Sequence, residues 1–197
     1  MMEPFRRLTS VAVVLPRADI DTDQIIPARF LRGTTRDGLG RSLFAGWRHD
    51  AAGAPVPEFP LNDVRASGAR ILVAGPNFGC GSSREHAAWA LVDHGFRAVI
   101  STSLADIFRN NAVKNGLLPV VVDGATHRAL CERPFSEVSV DLEAQEVTSP
   151  GGVRARFTVD TFARRCLLDG TDELGFLLAQ SQAIVAHEQQ RRREEAP

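Results

Sequence analysis

The chain has 197 residues, 44% of them hydrophobic and 24% charged, and a formal net charge of -1. That length suits one domain able to bury roughly 70% of the surface its unfolded chain exposes. The balanced charge argues against a general nucleic-acid or membrane-surface binder, and no run of about 18 apolar residues exists to span a bilayer.

Residues 11–15, VAVVL, read as a buried strand. Residues 19–60 show no period, because glycines and prolines interrupt every pattern. A region of that length without regular structure is usually functional or ordered by a partner. Residues 70–74, RILVA, form a second buried strand that runs into the turn GPNFGCG. A helix is predicted over 83–94, with Ser82 as N-cap, Glu85 completing a capping box, and Gly95 as its stop. A short strand at 98–100 precedes a helix capped by Ser103 and ended by Gly116, and 117–122 form the next strand. The order strand–helix–strand–helix–strand over 70–122 signals a parallel α/β sheet.

After Phe135 the pattern alternates, as half-buried strands do, in VSVDL and RARFTVD on either side of a Gly151–Gly152 turn. A short helix is predicted over 161–168 and a longer one over 172–195, with Leu174, Leu177, Leu178, Ile184 and Val185 near one side. Residues 186–197 read as a solvated tail.

Of the 23 basic residues only Lys114 is a lysine, so anion binding would fall to arginine. Cys80, Cys131 and Cys166 are far apart and form no C-x-x-C pair. Alone they build neither a four-cysteine zinc site nor an iron–sulfur cluster, so no metal is expected on this chain. The start MMEPFRRLTS lacks the apolar centre of a secretory signal, and the cytoplasm is the expected compartment.

The chemistry is expected in GPNFGCGSSREHAAWAL, residues 75–91. Gly79 and Gly81 permit a tight turn and close approach of a ligand, and free N–H groups at a helix start favour an anion. Ser82 and Ser83 add hydroxyls, and Arg84 adds a fork that suits a carboxylate. A dinucleotide fingerprint fits poorly, since Arg84 stands where Gly or Ala belongs. A serine-hydrolase elbow needs G-x-S-x-G, which is absent. The plain alternative is that both serines merely cap a helix.

That string resembles the signature of the small, swivelling subunits of the 3-isopropylmalate dehydratase branch of the aconitase-like family, in leucine biosynthesis. DIDTDQIIPARFL at 19–31 and ADIFRNNAVKNGLLPV at 105–120 resemble it too, in the family's order. DLEAQEV at 141–147 and FTVDTFARRCLLDGTDELG at 157–175 extend the resemblance over nearly the whole chain. It implies a single α/β swivelling domain over 1–197, in β/β/α layers with a mostly parallel central sheet, and an active-site and interface loop over 19–60. It implies a lyase that isomerises 2-isopropylmalate to 3-isopropylmalate by dehydration and rehydration, active only with a large subunit. A four-iron four-sulfur cluster on that large subunit polarises the leaving hydroxyl, and this chain binds no cofactor.

By the same resemblance Ser82 is the base, and Ser83 and Arg84 hold oxygens of a small dicarboxylate substrate. A second carboxylate clamp is expected from Arg36, in Thr35-Arg36-Asp37-Gly38-Leu39-Gly40, or from Arg32, in FLRG. Leu31 to Thr34 are expected to face the variable substituent. Asp23 is expected at the interface beside Thr22, His86 as a supporting hydrogen-bonder, and Asn111 under the active-site turn. Family rivals remain open: citraconate or methylmalate-type hydratase, dimethylmalate dehydratase, homoaconitase, or a module that kept the fold without the chemistry.

Overall fold

The computed structural model describes residues 2–31 and 36–194. The strands are β1 (Arg7–Leu15), β2 (Ile71–Ala74), β3 (Ala98–Ser101), β4 (Leu118–Val121), β5 (Glu137–Asp141), β6 (Glu146–Ser149) and β7 (Val153–Arg156). The α-helices are α1 (Thr22–Ile25), α2 (Ala45–Arg48), α3 (Glu85–His94), α4 (Asp106–Lys114), α5 (Gly124–Cys131), α6 (Thr161–Asp169), α7 (Glu173–Ala179) and α8 (Ser181–Glu194).

The seven strands make one sheet in the order β4-β3-β2-β1-β5-β6-β7. β1 serves two sheet halves with different parts of its length. Ala12 to Leu15 run parallel to β2, whereas Arg7 to Val11 run antiparallel to β5. The α/β expectation holds for the half β4-β3-β2-β1, which is entirely parallel; the half β1-β5-β6-β7 is antiparallel.

Side-chain alternation on the parallel strands builds two cores. Val13, Leu15, Leu72 and Val99 pack with Ala87, Ala90 and Leu91 of α3 and Phe108 of α4. Val14, Ile71, Val73, Ile100 and Val120 face Val138, Val140 and Val147 of the antiparallel half, with Leu130 of α5 and Leu167 of α6. The layers are therefore antiparallel sheet, parallel sheet and helices. Burial on both faces explains why the parallel strands read as unbroken apolar runs.

Several local expectations are corrected. α3 starts at Glu85 with Arg84 as N-cap, and no side chain caps it. Ser82 lies in the preceding turn, where Gly79 and Gly81 hold positive φ, and the Glu85 carboxylate is taken up by Trp89 Nε1 and Asn115 Nδ2 instead. Ser103 does not cap α4 either, because its Oγ accepts from the Asn77 N–H. The helix expected over 172–195 breaks at Gln180 into α7 and α8. Leu174, Leu177, Leu178, Ile184 and Val185 stay exposed, so no core holds the two segments in line, and short helices depend on such packing. β6 and α5 lacked clear sequence signals. The turn before β6 uses Gln145 at φ 52° rather than a glycine, and α5 is started by Asp123, whose side chain accepts from Ala125 N and Thr126 N.

Residues 36–60 are irregular but packed. Leu43 and Phe44 are fully buried, and Phe44 stacks with Trp47. A 3₁₀ turn at Leu39–Ser42 lies against the end of α3. Asp93 Oδ2 accepts from Gly40 N at 2.7 Å, and His94 Nδ1 lies 3.2 Å from Gly40 O. A Cβ on Gly40 would fall 2.4 Å from His94 N, so only glycine permits this contact.

Burial, followed by the charge of Arg48, lowers the His94 pKa from its usual 6.5. The unfolded chain therefore takes up the proton first on acidification. The stability from neutral His94 should be complete above pH 6.5 and drain as the pH falls towards the lowered folded value. Urea melts of the wild type and His94→Gln at pH 7.5 and 5.5 should show a smaller pH dependence in the variant. Equal losses in both proteins would contradict the assignment.

Candidate active-site turn

The turn after β2 sits at the carboxyl ends of the parallel strands, where open α/β sheets place their ligands. Backbone contacts on two sides hold it. On one side, Gly75 N donates to Leu15 O at 2.9 Å, Asp19 N to Pro76 O at 2.9 Å, Gly79 N to Ile20 O at 2.7 Å, and Thr22 N to Cys80 O at 3.0 Å. Asp21 and Cys80 thereby form a parallel bridge beyond the sheet. On the other side, Ala105 N donates to Phe78 O at 3.0 Å and Phe78 N to Ser103 O at 3.3 Å. Buried Ser101 donates its hydroxyl to Gly75 O at 2.8 Å.

This clamp delivers Ser82, Ser83 and Arg84 to the start of α3. Ser82 and Ser83 are exposed, and neither hydroxyl has a hydrogen-bond partner among the described residues. Ser82 is nevertheless fixed through its backbone, because buried Thr22 donates its hydroxyl to Ser82 O at 2.9 Å. Asp21 caps α1 through a reciprocal box with Gln24 and so aims Thr22 and Asp23 at the turn.

Arg84 pairs with Asp23, and its side chain is only 18% exposed. Its Nη1 is shut off from solvent and faces Asp23 without a well-angled hydrogen bond. The Arg84 contact holds the Asp23 carboxyl below the usual carboxylate range and raises Arg84 in turn. Arg84 is thus a cation that directly follows two exposed hydroxyls without a partner among the described residues. The Cys80 thiol is pushed up by burial, then by Asp21 and Asp19, which makes it a poor nucleophile.

The remaining expected residues lie around this group. The Arg36 guanidinium stands 5.0 Å from the Trp89 ring centroid, and His86 lies 4.5 Å from the same ring. Arg36 is therefore placed beside α3, in a cavity that Glu85 also lines. Arg32, with Gly33 and Thr34 of the expected substituent-facing stretch, lies outside the described residues. Asn111 contributes its carbonyl, which accepts from Asn115 Nδ2 at 2.8 Å.

Two residues escaped the sequence reading. Buried Asn115 ties α4 to Glu85 at 3.0 Å. Buried His127, from α5, approaches Ala74 O at 2.7 Å, directly before the turn. Their partners lie 30 and 53 residues away in sequence, so no local spacing marks them. Among the described residues no group of three His, Cys, Asp or Glu side chains could hold a metal ion.

Residues 2–125 match the aconitase C-terminal domain model, and residues 131–161 match the LeuD_N model. The chain belongs to the aconitase C-terminal domain family. It is 63% identical over 97% of its length to the whole of the 3-isopropylmalate dehydratase small subunit of Anaeromyxobacter sp. strain K. The small subunit of the same name from Chloroflexus aurantiacus strain J-10-fl is 55% identical, with 95% of each chain covered. The solved structure of 3-isopropylmalate dehydratase from Methanocaldococcus jannaschii superposes with a TM-score of 0.70 at 28% identity, covering 93% of this chain and 99% of that one. These findings bear out the resemblance read from the sequence.

The packing makes two glycines of the turn unequal. A Cβ on Gly79 would fall 2.3 Å from Phe108 Cγ, whereas one on Gly81 meets nothing closer than 3.4 Å; φ is positive at both. Left-handed strain alone costs about 1–2 kcal/mol, and overpacking adds about 1–3 kcal/mol. Gly79→Ala should lose at least about twice the stability of Gly81→Ala in denaturant melts. Equal losses would show that Phe108 yields freely.

Proposed function

We propose that this chain is the small subunit of a two-subunit hydro-lyase that interconverts 2-isopropylmalate and 3-isopropylmalate by removing and re-adding water. One observation carries the reading: the exposed Ser82–Ser83–Arg84 corner, clamped by the 19–23 segment, stands in a chain 63% identical over 97% of its length to a relative of that name. That identity favours isopropylmalate over citraconate, methylmalate, dimethylmalate or homoaconitate substrates. The intact corner disfavours a chemically silent module.

In this reading the Ser82 hydroxyl first releases its proton to solvent, the resulting alkoxide takes the proton from the carbon next to a substrate carboxylate, and the reverse step returns it to that carbon. Ser83 and Arg84 hold substrate oxygens, with the Arg84 fork on a carboxylate. Arg36 or Arg32 supplies the second clamp. Asp23 orients Arg84 and faces the partner, Thr22 fixes Ser82, and His86 and Asn111 support α3 and α4. The described residues of this chain do not fit an iron–sulfur cluster. On the family resemblance we assign a four-iron four-sulfur cluster to a separate large subunit, where it would activate the leaving hydroxyl. The partners are that large subunit and a small dicarboxylate, not nucleic acid or a membrane, and the compartment is the cytoplasm. No helix among the described residues is long and apolar enough to cross a membrane.

Co-expression with a candidate large subunit, followed by anaerobic assay on a panel of malate analogues, tests the substrate. Ser82→Ala tests the site. Loss of a proton-transfer group costs about 10²–10⁴ in rate. The Ser82 hydroxyl neither caps α3 nor holds a described partner, so stability should change by less than about 0.5 kcal/mol. The assembled Ser82→Ala enzyme should thus be inactive and normally stable. More than about a tenth of the wild-type rate would remove Ser82 from the proton-transfer step.

A further inference from the structure

A polar cavity of about 500 Å³ opens where the 61–70 segment meets the end of α3. Its lining includes Arg48, Ser67, Gly68, Arg70 and His94. Arg48 is half-buried at the end of α2 and has no carboxylate partner among the described residues. Its Nε donates to Asn62 Oδ1 at 2.9 Å, and its two terminal nitrogens have no acceptor among those residues. Asp63 is the acidic group on the wall, and Arg65 engages both of its oxygens. Arg70 is already paired with Glu3 at 3.3 Å. The cavity therefore keeps one uncompensated guanidinium fork.

His94 adds a complementary group. Gly40 O is a carbonyl and can only accept, so the contact at Nδ1 places the ring proton there. Nε2 of the neutral ring is then an acceptor without a described partner, on a residue that lines the cavity. The Ser67 hydroxyl is exposed and without a described partner. One wall thus offers a cationic donor fork, a hydroxyl and a basic nitrogen.

We propose that this cavity binds monohydrogen phosphate. Two phosphate oxygens would accept from Arg48, another from Ser67, and the P–OH would donate to His94 Nε2. The same logic discriminates among oxyanions. Sulfate and a phosphomonoester dianion lack that hydrogen and would leave Nε2 facing a negative oxygen. The site does not depend on the Ser82 chemistry. Its link to the substrate side is structural, because Gly40, which holds His94, lies four residues from Arg36.

Amide NMR of the full-length chain at pH 7.5 and low ionic strength tests this with inorganic phosphate, sulfate and adenosine monophosphate as separate titrants, each at matched ionic strength. Phosphate should give saturable shifts at Ser67, Gly68 and Gly95, with sulfate and the nucleotide at least tenfold weaker. Arg48→Gln should weaken phosphate at least tenfold. Ser67→Ala, at an exposed position that cannot unfold the chain, should weaken it several-fold and decides the matter if Arg48→Gln fails to fold. Non-saturating shifts, equal response to sulfate, unchanged affinity in Ser67→Ala, or shifts centred on Ser82 to Arg84 would each overturn the proposal.

Discussion

The site depends on one close approach of two backbones, residues 15–22 against residues 75–80. Four main-chain hydrogen bonds join them, and a side chain on Gly75 would forbid the contact. A Cβ on Gly75 would fall 2.1 Å from Arg17 O, and one on Gly79 would enter the Phe108 ring. The ladder prolongs the β1–β2 pairing past the edge of the sheet, so Ser82 inherits the rigidity of the core. A hydroxyl on an exposed turn is otherwise free to wander, and a proton-transfer group displaced by about 1 Å can lose about 10² in rate. Thr22, with its hydroxyl on Ser82 O, makes the final connection.

The division of β1 makes this corner accessible. Its C-terminal half lies in the parallel sheet and leads to the turn, while its N-terminal half pairs with β5. The antiparallel layer and α5 and α6 cover the opposite face of the parallel strands from α3 and α4. The chain leaves the buried strand end at Ala74 and carries the serine turn out to the surface. His127 reaches through that second layer to Ala74 O, so even the far layer buttresses the turn.

Much of this was legible because burial writes itself into composition. RILVA, AVI and LLPVVV are unbroken apolar runs, since both faces of their sheet are covered. Gly95 and Gly116 end their helices in the left-handed conformation that glycine tolerates. Caps were less legible. Ser82 and Ser103 have the right residue type at a plausible spacing, but Ser82 lies in the turn ahead of the Arg84 N-cap, held there by Thr22 on its backbone carbonyl, and the Ser103 hydroxyl accepts from Asn77 N instead. Glu85 likewise leaves its expected box for Trp89 and Asn115. The glycines and serines of the site were visible, while the groups that hold them depend on contacts formed only once the chain is folded. The apolar side of 172–195 is visible as a pattern, yet its leucines, Ile184 and Val185 stay exposed, and only Phe176 meets another ring, that of Phe162, among the described residues.

Electrostatics explain why a turn this well built would still need a second protein on the proposed reading. A serine hydroxyl surrendering its proton needs nearby positive charge and poor access to water. The chain supplies the charge as Arg84, but Asp23 partly cancels it and Ser82 remains in solvent. At about 4 Å a unit charge is worth only about 1 kcal/mol in water, against about 4 kcal/mol at an effective dielectric of 20 near a protein surface. A subunit docked over Ser82 would expel that water and strengthen the Arg84 field. Were it also to draw the Asp23 carboxylate towards itself, the Arg84 fork would turn to the incoming carboxylate. Covering the corner would thus switch on base and anion site together, at a place whose geometry the small subunit had already set.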